Sequence, residues 1–69
     1  MTIKEIRQLT GWTQSEFGKF LGIPMRTIQN WETGQRKCPD YVVDLIEFKI
    51  KYAMRLAESI AKALKLEKE

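Results

Sequence analysis

Sixty-nine residues, 43% hydrophobic and 30% charged with a net charge of +3, describe one small soluble domain, marginally stable unless helices pack efficiently or a second chain adds surface. No run is apolar enough to span a bilayer and the first residues lack the apolar block of a secretory signal, so the chain reads as cytoplasmic, with no membrane partner. With no histidine and one cysteine, it lacks the commonest general base and any intrachain disulfide, so Cys38 reads as a small structural side chain and no metal or cofactor is expected.

Breakers at Gly11, Gly22-Ile23-Pro24, Thr33-Gly34 and Pro39 cut the first forty residues into short segments, suited to a packed cluster of helices. The first helix is expected from Thr2 to about Leu9. Thr2 followed three residues later by Glu5 has the pattern of a capping box, and Ile3, Ile6 and Leu9 recur at the helical period. Gly11 stops this helix and Trp12 packs at the corner. Thr13 and Glu16 repeat the capping pattern ahead of a second helix with Phe17, Phe20 and Leu21 on its apolar face. Gly18, inside that helix and beside its apolar stripe, costs about 1 kcal/mol against alanine and so marks a close backbone crossing. Gly22 ends the helix in the left-handed conformation. Ile23 turns inward, and Pro24 pre-sets the first turn of a third helix, Met25 to about Glu32, whose buried side carries Ile28 and Trp31.

From Pro39 onward there is no glycine or proline among the remaining residues. Pro39, Asp40 and Asp44 suit a helix start. Ile46, Ile50, Ala53, Ala57, Ile60 and Leu64 then follow at intervals of 4, 3, 4, 3 and 4, a heptad-like seam. A break near Ile50 to Tyr52 remains an alternative to one continuous helix. A continuous helix of about 25 residues reaches nearly 40 Å, more than this domain can cover alone.

Two short helices joined by a tight glycine turn, the second with polar residues outward, have the anatomy of a helix-turn-helix. The run Thr13-Gln14-Ser15-Glu16-Phe17-Gly18-Lys19-Phe20-Leu21-Gly22-Ile23-Pro24, continuing through Ile28-Gln29-Asn30-Trp31-Glu32-Thr33-Gly34, resembles the core signature of the Cro/C1-type (XRE-type) helix-turn-helix family. The resemblance extends from about Ile3 to Ile50. It implies an all-α fold: a compact four- to five-helix, lambda-repressor-like domain over residues 1–50. Residues 51–69 are left as a helical extension and possible dimerisation segment.

The resemblance carries double-stranded DNA as the partner and assigns roles by position. Gln14 matches the glutamine that anchors to a phosphate and braces the reading helix, and Met25, Arg26, Gln29 and Asn30 match the base-contacting positions. The helical period agrees: with Ile28 and Trp31 inward, Arg26, Gln29 and Asn30 face out. Arginine can bond guanine O6 and N7, and asparagine or glutamine can bond adenine, each contact worth about 1–3 kcal/mol of discrimination. Met25 departs from the polar residue often found there and can meet a thymine methyl or simply pack. Arg36 and Lys37 match a loop that touches the sugar–phosphate backbone, and Thr13, Ser15 and Lys19 are further phosphate candidates. On a solvated helix each of these side chains has an ordinary surface role; the surrounding signature favours DNA.

The charge distribution points the same way. Residues 1–39 hold six basic residues against three acidic ones, while the remainder is balanced, a positive end that suits a polyanion. Function is therefore expected to be sequence-specific transcriptional regulation, as a repressor, by a homodimer on a palindromic operator. An antitoxin that also binds a toxin partner, or an interaction module working through the C-terminal helix, are the alternatives. An enzyme is rejected, because no histidine, phosphate cradle or carboxylate cluster is present to build a site.

Overall fold

Thr2 and Thr13 start the first two helices by the same device. Thr2 Oγ1 accepts from the Glu5 amide at 3.1 Å while the Thr2 amide donates to Glu5 Oε1 at 2.8 Å. Thr13 and Glu16 repeat the pattern at 3.1 and 2.9 Å. Each box satisfies amide groups that a helix start leaves without partners.

The computed structural model describes residues 1–67, and side chains through residue 64. Among the described residues there are four helices and no strands: α1 (Ile3–Thr10), α2 (Gln14–Leu21), α3 (Met25–Thr33) and α4 (Asp40–Glu67). The alternative of a break near Ile50 to Tyr52 is removed, since α4 is one helix of 28 residues. Of the extension expected over 51–69, residues 68 and 69 lie outside the described residues.

The core forms where α1 meets α3 and α4 and where α2 meets α3. Ile3, Ile6, Phe17, Ile28, Cys38, Ile46 and Ile50 are buried, with Trp12, Leu21, Ile23, Trp31, Val42 and Val43 packed around them. Burial of each large member stabilises by roughly 2–3 kcal/mol. Cys38 takes the structural place expected of it, and burial pushes its thiol pKa up. No described helix is long and apolar enough to cross a membrane.

Three expectations are corrected. Leu9 and Phe20 belong to apolar stripes by spacing, yet they are 44% and 39% exposed. They line a shallow apolar groove with Trp12, Ala53 and Met54, where Phe20 leans on Trp12 at a centroid distance of 5.0 Å. Pro24 does not lie inside the first turn of α3 but caps it from outside, its carbonyl accepting from the Thr27 and Ile28 amides at 3.0 and 3.3 Å. Pro39 likewise precedes α4, accepting from the Val42 and Val43 amides.

The turn between α2 and α3 packs two stretches of backbone closely together. Gly22 adopts φ 72°, where only glycine sits without strain, and the Ile23 amide folds back to donate to the Gly18 carbonyl at 2.9 Å. This brings the Ile23 carbonyl against Gly18: a Cβ there would stand 2.6 Å from that oxygen. Gly18→Ala should therefore destabilise the fold by about 1–3 kcal/mol, despite the better helix propensity of alanine. Urea unfolding checks this, and a gain in stability would show that the turn can shift aside.

Candidate nucleic-acid interface

α3 is a short helix lying on the core by one side. Ile28 is fully buried and Trp31 half-buried, while Met25 and Arg26 are exposed and Gln29 and Asn30 half-buried. Its 9 residues span about 14 Å, and a helix of this width enters the roughly 12 Å major groove of B-DNA. No side chain caps its N-terminus, so the positive end of the helix dipole stays available to an anion.

What fixes this helix in place is a side-chain network at its far end. The Arg7 guanidinium from α1 grips Glu32 with Nε and Nη2, at 2.7 and 2.8 Å, and donates from Nη1 to the Trp12 carbonyl at 2.9 Å. Gln14 Nε2 of α2 donates to the same carboxylate at 3.2 Å. The side chains of Arg7 and Glu32 are only 18% and 4% exposed. The Arg7 hydrogen bonds hold the Glu32 pKa down, against the opposing effect of burial, with the Gln14 bond lowering it further.

The network also shapes the field of the outer face. Glu32 is the one carboxylate of α3, and Arg7 neutralises it. Two shallow surface grooves flank the helix. Gln14, Met25, Arg26, Gln29 and Asn30 meet in the first, joined by Thr33 and Gln35. Arg26 and Asn30 continue into the second with Arg36 and Lys37. No carboxylate lines either groove. The loop after α3 is held to it by the Arg36 amide, which donates to the Asn30 carbonyl at 3.2 Å.

Seven of the ten residues singled out from sequence are thus brought onto one surface. Thr13, Ser15 and Lys19 line neither groove; Thr13 is committed to capping, Ser15 is half-buried and Lys19 exposed. Gln14 reaches α3 through its bond to Glu32. Sequence reasoning missed Thr33 and Gln35, whose signal was their polarity beside the Gly34 turn. It also missed Arg7, which by composition alone is one more surface charge.

This fold and surface are those of a helix-turn-helix protein. A helix-turn-helix family model matches residues 3–43, and the chain belongs to that family, of the Cro/C1 (XRE) type. Curated relatives include Antitoxin HipB of Escherichia coli (strain K12), 38% identical over 61 residues that make up 88% of this chain and 65% of the relative. Antitoxin HipB of Escherichia coli O6:H1 (strain CFT073) is also 38% identical over 61 residues, 88% of this chain and 61% of its own. The chain thus spans under two thirds of the length of these relatives. No solved structure matches it significantly.

The depressed Glu32 pKa gives the network a defined pH dependence. Because the folded carboxyl titrates below its unfolded value of about 4.3, its contribution is complete above that value and is lost as pH falls through the folded pKa. Glu32→Gln should cost about 3 kcal/mol at pH 7 by leaving Arg7 without its ion partner. The gap from wild type should narrow below pH about 4. Denaturant unfolding at several pH values measures it, and a gap independent of pH would disconnect Glu32 ionisation from stability.

Proposed function

We propose that this chain is a sequence-specific transcriptional repressor that inserts α3 into the major groove of double-stranded DNA. The observation that carries the reading is the convergence of Met25, Arg26, Gln29 and Asn30 with Arg36 and Lys37 on one surface free of carboxylates. Arg26 and Asn30 read base edges, with Gln29 and Met25 beside them. Gln14, Arg36 and Lys37 hold the phosphate backbone on either side, and Ser15 and Lys19 on α2 add outer phosphate contacts. Phosphate contacts set the register and base contacts the sequence.

The protein acts in the cytoplasm without catalysing a reaction, as a homodimer on a two-fold operator. One module covers one half-site, and pairing doubles the contacts and fixes their spacing. Exposure of Ile60 and Leu64 at the far end of α4, 54% and 55%, supports a partner for that end.

A second reading is favoured by the relatives named antitoxins: the repressor also binds a toxin, and the two functions share one chain. The DNA chemistry is the same under both readings.

Arg26→Ala should relax preference at one base pair of the operator, by about 1–3 kcal/mol. Lys37→Ala should weaken binding to all duplexes alike and lower the salt slope by about one unit. Selection of bound duplexes from a random pool, followed by titration at several salt concentrations, reads both. Unchanged affinity and preference in Arg26→Ala would remove that residue from the reading face.

A further inference from the structure

The heptad-like seam of α4 is used up in its first half by the protein's own core, where Ile46 and Ile50 are 5% and 1% exposed. A second apolar row lies beside it. Tyr41, Leu45, Phe48, Tyr52 and Leu56 are 69%, 64%, 72%, 62% and 50% exposed. Their intervals of 4, 3, 4 and 4 hold them on one side of the helix, roughly 120–140° around from the buried seam. Three aromatic rings and two leucines expose an apolar strip of several hundred Å², roughly the largest that monomers tolerate.

Charges along α4 say what covers it. From residue 40 to 48 the only charged residues are Asp40, Asp44 and Glu47; from 49 to 57 they are Lys49, Lys51 and Arg55. Asp44, Lys51 and Arg55 flank the row on the same side, and a shallow groove runs between them past Phe48 and Tyr52. Glu47 and Lys51 pair within the chain at 2.9 Å. Asp44 and Arg55 make no ion pair among the described residues.

We propose that this row pairs antiparallel with the same row of a second copy, an inference that rests on the homodimer reading and gives it a face, a direction and a register. Phe48 sits against the partner's Tyr52, which puts the two-fold axis beside residue 50. Leu45 then faces the partner's Leu56, and Asp44 faces the partner's Arg55, twice over by symmetry. A parallel pair would place this charged flank of the two helices on opposite edges of the interface, where Asp44 and Arg55 cannot meet. The antiparallel register also lays the projecting end of each α4 alongside the start of the other.

Sedimentation equilibrium of the full chain tests this. The wild type should be a dimer and Phe48→Glu a monomer with unchanged helix content. Asp44→Arg and Arg55→Asp should each weaken the dimer about tenfold, and the two together should restore it to within about threefold of wild type. A monomeric wild type, a dimer indifferent to Phe48→Glu, or a double reversal weaker than either single change overturns the pairing. Half-site DNA binding, measured on the same samples, keeps the two ideas apart. Phe48→Glu should retain it, as should a wild type found monomeric if only the pairing is wrong. A dimer behaving as described but lacking DNA affinity would support the pairing and sink the repressor reading.

Discussion

The Arg7–Glu32 ion pair is the constraint on which the outer face depends. Ile6, Phe17, Ile28 and Ile50 are the largest fully buried side chains, but the hydrophobic effect that buries them has no direction. A short helix resting on one buried isoleucine and one half-buried tryptophan can roll. The bidentate guanidinium–carboxylate contact is planar and directional, and it holds α3 from α1 at one end. Arg7 binds the Trp12 carbonyl and Gln14 the same carboxylate, so α1, the corner before α2, and α2 itself all reference the orientation of α3. Partial burial protects this contact from salt screening.

The same pair decides the electrostatics. A carboxylate on α3 facing outward would repel a phosphate backbone at close range. Drawn to Arg7, Glu32 is neutralised beside the core, and the surface beyond it keeps Arg26, Arg36, Lys37 and neutral amides. Structural alignment and a positive face thus come from one interaction, and loss of Arg7 would damage both together.

What sequence revealed was what is local. Both capping boxes lie within three residues, and glycines at 11, 22 and 34 close helices by φ values near 70–85°, so the helices of the first forty residues were legible to within a residue. Gly18 was legible because a glycine beside an apolar stripe implies a neighbour, and that neighbour is the Ile23 carbonyl. Most of the candidate reading surface followed from helical phase and from the family signature. The Arg7–Glu32 contact was not legible, because 25 residues separate the partners and either charge alone looks solvated. Leu9 and Phe20 misled for a related reason: periodicity gives a helix its apolar side but not how far the neighbouring helix extends to cover it.

That last point bears most on α4. Spacing identified one apolar seam on a helix longer than the domain can cover alone; the body of the protein claims the first half of that seam and leaves the adjacent aromatic row uncovered. A helix of 28 residues runs about 42 Å, far more than the other three helices can flank. A chain of this size has little core to spare, so an apolar row left in water on its longest helix is a cost without local compensation. Segregated charge, acid over residues 40–48 and base over 49–57, suits the helix start at its acidic end but leaves Arg55 without an ion-pair partner among the described residues. Both features become favourable under one operation, a two-fold rotation about an axis crossing the helix near its Phe48–Tyr52 stretch. That is also the symmetry a palindromic operator demands of whatever reads it, so the proposed self-association and the proposed recognition would impose the same requirement on this helix.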